Sequence, residues 1–291
     1  MKIPELKGCG TALVTPFFSD GEVDYDAFSA LVERQVAGGV DFLVPLGTTA
    51  ETPTLNPMER VALLDLAHDC ASGLPLLVGC GSNSVPGTLA NMHLLEDGAA
   101  DAWLVVVPFY NKPTQEGMYQ YYKAIAAESS KPIVMYNVPG RTGVNMLPET
   151  AVRIARDIPG IIGIKEASGK LEQASQIVAE APSDFIVLSG DDDKTLDMMK
   201  DGARGVISVA SNVLPDKVSA LCAAALDGRW EEAESLNEAL KPLYKACFVE
   251  SNPIPAKAAL SLMGFCSDAM RLPLVPASES TRALMKEVLS L

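Results

Sequence analysis

Residues 160–168 read Gly-Ile-Ile-Gly-Ile-Lys-Glu-Ala-Ser (GIIGIKEAS), a short apolar run bounded by Pro159-Gly160 and Ser168-Gly169. A run of this length between turn residues reads as a buried strand. It delivers Lys165 near its C-terminal end. A lysine there holds its amine in dry surroundings, and a neutral amine can attack a carbonyl and form a Schiff base. The plainer reading is a lysine that snorkels from a strand end.

The same beat recurs along the chain. Apolar runs lie at residues 10–16 (GTALVTP), 40–46 (VDFLVPL), 75–80 (PLLVGC), 101–108 (DAWLVVVP), 132–138 (PIVMYNV), 184–189 (DFIVLS) and 204–209 (RGVISV). Near-continuous hydrophobicity suits parallel strands covered on both faces. Helix-like segments alternate with them: 24–39, 57–73, 114–128, 148–158, 171–182 and 215–226. Asn56 reads as a cap ahead of Pro57 at the first helical position. Eight strand–helix units within residues 1–228 predict an α/β fold, a (β/α)8 TIM barrel; an open, doubly wound sheet is the competitor. From 229 to 291 the beat stops, and three helical patterns predict a C-terminal helical extension.

Composition narrows the function classes. The formal net charge of -14, from 23 basic and 37 acidic side chains, with no Lys/Arg cluster, argues against nucleic acid and anionic membrane as partners. No apolar run is long enough to span a bilayer, and MKIPELKGCGTALVTP lacks the pattern of a secretory signal. Six cysteines without a CxxC pair read as reduced thiols, so a cytoplasmic location is expected. Neither GxGxxG nor GxxxxGK[ST] is present, which leaves nucleotide cofactor chemistry unsupported.

In a parallel barrel, chemistry gathers at the C-terminal ends of the strands. The second strand ends in GTTAET, where Thr48, Thr49 and adjacent N–H groups can hold a carboxylate or simply start the next helix. Tyr136 ends the fifth strand, one strand away from Lys165. Its phenol can relay protons or bond to backbone in the core. Tyr110 ends the fourth, with Phe109 competing for the inward position. Arg141, in PGRTG, can grip a substrate carboxylate bidentately or lie on the surface. Asp191-Asp192-Asp193 invites a Mg²⁺ reading, but adjacent side chains point apart, and capping of the following helix by one of them is expected instead. His68 and His93 lie in helical segments without ligand spacing.

GTTAETPTLN (47–56), YNKPTQEGMYQYY (110–122), YNVPGRTGVN (136–145), GIIGIKEASG (160–169) and LSGDDDKTL (188–196) resemble the dihydrodipicolinate synthase family, in the right order and from about Cys9 to the C-terminus. The resemblance implies a lyase that condenses pyruvate with L-aspartate 4-semialdehyde on the route to diaminopimelate and lysine. Another pyruvate-dependent class I aldolase, acting on hydroxylated 2-keto acids, is the alternative. Lys165 matches the Schiff-base lysine and Tyr136 its proton shuttle. Thr48 and Tyr110 match the rest of the relay, Tyr110 crossing to a neighbouring subunit. Thr49 and Ile207 match pyruvate contacts, Arg141 the residue that receives the semialdehyde, and Gly190 the pocket wall. The resemblance also implies a homotetramer built as a dimer of dimers, or a dimer, and chemistry with no metal and no dissociable cofactor. The departure is Ala50, where the family usually carries glycine. A positive backbone angle there would strain alanine.

Overall fold

The computed structural model describes residues 3–290. Its strands are β1 Gly8–Ala12, β2 Phe42–Val44, β3 Leu77–Gly79, β4 Ala102–Val106, β5 Ile133–Asn137, β6 Ile161–Glu166, β7 Ile186–Ser189 and β8 Gly205–Ser208. Each falls inside or within two residues of a predicted run. All ladders are parallel, in the order β2-β1-β8-β7-β6-β5-β4-β3. The two ends of that order meet: Leu43 N donates to Pro75 O (2.9 Å), Gly79 N donates to Pro45 O (3.0 Å), and Leu43 bridges Leu76 in parallel. The sheet therefore closes into a (β/α)8 TIM barrel. A doubly wound sheet would have left β2 and β3 as open edges.

The strands are apolar on both faces because each face has a core to fill. Phe42, Val44, Ala102, Leu104, Val134, Tyr136, Ile186, Leu188 and Ile207 share one cluster inside the barrel. The intervening Leu43, Trp103, Val105, Ile133, Met135, Val187 and Val206 pack outward among the helices. That alternation is the two-residue period of a strand. In β6 the register with β5 shifts between Ile133 and Val134, so that Ile133 opposes Ile161 while Val134 opposes Gly163. The inserted residue lets Ile162 join the inner cluster and returns Ile164 to the outer one. Lys165 thereby faces inward, paired with Tyr136. Gly163 is required at this bulge, since a Cβ would sit 2.5 Å from Ile186 O.

Helices Tyr25–Ala37, Pro57–Cys70, Gln115–Glu128, Pro148–Asp157, Leu171–Glu180 and Pro215–Leu226 occupy the predicted segments. Asn56 and Glu59 close a capping box, each side chain accepting from the other's N–H at 3.0 and 2.8 Å. Helix Val85–Leu94 carries His93, as expected, but its start is not located from the sequence, because Pro86 and Gly87 interrupt the first turn; Ser84 caps it, accepting from Gly87 N at 3.2 Å. After the last barrel helix come Trp230–Ala246, Ile254–Leu262 and Glu279–Leu289. Among the described residues no helix is long and apolar enough to cross a membrane.

Candidate active site

A cavity of about 470 Å³ opens at the C-terminal mouth of the barrel. Lys165 and Tyr136 line it from adjacent strands. Both are buried, and the lysine Nζ lies 4.4 Å from the centroid of the tyrosine ring. Glu166, next along β6, turns to the opposite face. Its carboxylate accepts from Ser168 N (2.7 Å), Asn137 Nδ2 (3.0 Å) and Gln173 Nε2 (3.1 Å), which ties down the strand end that carries Lys165. Gly190 packs against the lysine stem: a Cβ there would meet Ala167 Cβ at 2.5 Å and Lys165 Cε at 3.0 Å.

The turn after β2 forms a second wall. Thr48 is exposed to the cavity, while Thr49 is buried and its Oγ1 accepts from Asn252 Nδ2 at 2.8 Å. Thr48 and Thr49 begin a 3-10 turn, and among the described residues their N–H groups find no backbone acceptor, so they remain available to an anion. Ala50 has an ordinary negative φ, and the expected strain is absent there. The left-handed residues of this stretch are its neighbour Glu51 (φ 53) and, at the end of the preceding run, Leu46 (φ 57). Arg141 reaches the mouth from the single helical turn Pro139–Thr142 and is exposed. Its Nη2 donates to Asn252 O at 3.3 Å.

The three consecutive aspartates part in direction, as expected, but none caps a helix with its side chain. Asp191 lines the cavity. Burial, and then the charge of Asp193, push its carboxyl up to about 6, against the opposing pull of Lys165. Asp192 is buried and reaches across to the turn just after β8, where one oxygen accepts from both Val209 N and Ala210 N at 3.0 Å. Capping loses because these two N–H groups lie in the dry interior and need an acceptor more than a solvated helix end does. Asp193 pairs with Lys194 at 3.3 Å.

Two predicted residues do not meet the cavity within this chain. Tyr110 is 88% exposed at φ 74, and Phe109 takes the inward position. Ile207 is buried in the inner barrel cluster, and Val209 is the β8-end residue that lines the cavity. No hydrogen bond joins Thr48 to Tyr136 among the described residues. Sequence reasoning missed Asn252 and Phe248, which enter the cavity from the chain beyond the barrel. The available signals were an Asn-Pro pair between two helical patterns and a lysine, Lys257, in the apolar run AKAALSL.

A closed parallel barrel whose mouth holds a buried lysine against a tyrosine, with anion-binding donors opposite, defines a class of proteins suited to imine chemistry on carboxylated carbonyl compounds. The chain belongs to the Dihydrodipicolinate synthetase family, whose profile matches residues 5–291. The 4-hydroxy-tetrahydrodipicolinate synthase of Thermotoga neapolitana is 51% identical over 288 residues, covering 98% of each chain. The solved dihydrodipicolinate synthase of Thermotoga maritima is 49% identical with a TM-score of 0.96, again over 98% of both chains. The Acinetobacter baumannii enzyme, solved in complex with pyruvate, is 40% identical with a TM-score of 0.96 over 98% of both.

Proposed function

We propose that this chain is a 4-hydroxy-tetrahydrodipicolinate synthase, a lyase that condenses pyruvate with L-aspartate 4-semialdehyde and releases water. The observation that carries the reading is the pairing of Lys165 with Tyr136, in register on adjacent strands and buried beneath one cavity. Whole-length identity to enzymes of that name supports it.

The chemistry follows from what each group can do. Lys165 Nζ attacks the ketone carbon of pyruvate, and loss of water leaves an imine. The imine is an electron sink, so a methyl proton leaves and an enamine forms. The enamine carbon then bonds to the aldehyde carbon of the semialdehyde, whose oxygen takes up a proton. The substrate's own amine attacks the imine carbon, closes the ring and expels Lys165 as a free amine. Tyr136 is the group placed to carry protons to and from these centres, with Thr48 and the Tyr110 of a neighbouring subunit completing the relay. The exposure of Tyr110 in the single chain fits a side chain that serves another copy. Thr49 and the free N–H groups of its turn hold the pyruvate carboxylate. Arg141, exposed at the mouth, receives the carboxylate of the semialdehyde, and Gly190 keeps the wall beside Lys165 open. The working form is a homo-oligomer, a dimer or a dimer of dimers, in the cytoplasm.

The test supplies both substrates and couples the product to its reductase. Turnover well above a heat-killed control is expected. Cleavage of hydroxylated 2-keto acids without this turnover would point to a different aldolase, and no reaction with either would reject the assignment.

A further inference from the structure

The turn that carries Thr48 and Thr49 ends in a residue with an unfavourable backbone. Glu51 is left-handed (φ 53, ψ 33), a conformation that a side chain with a Cβ disfavours. It is also buried. Its Oε1 accepts from Lys257 Nζ at 2.9 Å, and both side chains are fully enclosed (0% exposed). Its Oε2 accepts from Arg271 N at 3.3 Å. Neither Glu51, Lys257 nor Arg271 lines the cavity.

The partners themselves are anchored. Lys257 Nζ also donates to Ala269 O at 2.6 Å, and its ammonium lies 4.4 Å from the centroid of the Phe17 ring. The Arg271 guanidinium lies 4.5 Å from the centroid of the same ring, donates to Thr54 O at 2.9 Å and Gly21 O at 2.8 Å, and pairs with Glu59 at 2.6 Å. The segment beyond the barrel thus grips both ends of the loop that follows Thr49. It touches Thr49 itself through Asn252 Nδ2 at 2.8 Å.

A buried ion pair is weak as a source of stability, because desolvating two charges offsets their attraction, and an apolar replacement is often neutral. What it does fix is geometry. The Glu51–Lys257 pair closes a contact between residues 206 apart in sequence, and it does so at the strained residue two positions after Thr49. Strain of this kind persists only where surrounding contacts over-determine it.

We infer that the Glu51–Lys257 pair is a positioning device for substrate binding: it holds Glu51 left-handed and so aims the Thr48 and Thr49 N–H groups and hydroxyls at the pyruvate carboxylate. This rests on the proposed function. Glu51 and Lys257 are positioning residues that act through the turn, and the helices beyond the barrel are part of the active site's frame.

The experiment compares three double variants, each with Lys257→Met, so that no unpaired buried charge remains. At position 51 they carry Ala, Gln or Gly. Glycine adopts the left-handed conformation without an anchor, whereas alanine and glutamine do not. KM for each substrate, kcat and the unfolding temperature are measured on each protein. Glu51→Ala/Lys257→Met raises KM for pyruvate by about 10-fold or more, with a smaller change in KM for the semialdehyde. Glu51→Gly/Lys257→Met recovers most of that loss. Glu51→Gln/Lys257→Met, which keeps the volume filled, behaves like the alanine variant and supplies the comparison with glycine if the alanine variant fails to fold. Pyruvate KM values within about twofold of the parent in the alanine and glutamine variants, or an equal rise in all three, would overturn the inference. Turnover by the parent separates the two levels: an active parent with unmoved variants rejects the positioning role alone, and an inactive parent rejects the functional reading with it.

Discussion

Gly190→Ala is a one-carbon change whose consequence can be worked from distances. Gly190 has no positive φ, so alanine meets no backbone penalty there, and the effect is steric. The added Cβ would sit 2.5 Å from Ala167 Cβ and 3.0 Å from Lys165 Cε. Carbon atoms in contact prefer about 3.5–4.0 Å. The first contact is therefore short by about 1 Å, and Ala167 has no rotamer to yield, so backbone must move. The second is short by roughly 0.5 Å, and the flexible lysine stem is the part that gives. Overpacking of this kind costs about 1–3 kcal/mol of stability. A reactive group displaced by about 1 Å can lose on the order of 100-fold in rate. The variant should fold, with a lowered unfolding temperature, and lose about 30- to 100-fold in kcat. Borohydride trapping with pyruvate should slow in parallel, because the displaced Cε carries the nucleophilic Nζ. A Gly190→Ala enzyme that traps pyruvate at the parental rate would refute the claim that this wall sets the position of Lys165.

Other expectations follow from the same geometry. Asp191 holds its proton up to about pH 6, whereas the unfolded chain releases it near 3.8, so between those values stability falls as pH rises. Asp191→Asn should therefore be more stable than the parent by on the order of 1–2 kcal/mol at pH 7.5 and indistinguishable from it near pH 4; thermal melts at the two pH values check this, and a pH-independent difference would contradict it. Arg141→Ala should lower kcat/KM for the semialdehyde by about 10- to 100-fold, the worth of a charge-assisted bond at an exposed site, while leaving pyruvate trapping intact. Equal loss of both would make Arg141 a general organiser of the pocket. Light scattering at assay concentration should find an oligomer, since Tyr110 does not reach its own chain's cavity; a fully active monomer would remove Tyr110 from the relay.

What was legible in the sequence was whatever local pattern determines. The eight strands announce themselves because a strand covered on both faces has no polar positions to hide it. Asn56 and Pro57 marked the start of a helix through local capping chemistry alone. Lys165 stood out because a charge at the end of a buried run is rare. What failed depends on partners distant in the chain. Asp192 bonds the turn that follows β8 rather than its own helix, and Asn252 and Lys257 find Thr49 and Glu51 more than 200 residues away. The concern over Ala50 was misplaced by one residue, since the turn puts its left-handed angle on Glu51. The start of helix Val85–Leu94 was hidden by a proline and a glycine that its first turn accommodates.

The central claim is that Lys165 is the residue that becomes covalently bonded to substrate. Incubation with pyruvate and borohydride, followed by proteolysis and peptide mass analysis, tests it directly. The reduced adduct should appear once per chain, on the peptide that contains Lys165, with turnover lost in step with its formation. An adduct on Lys170 or any other lysine, or full activity in a chain carrying the adduct, would contradict the account.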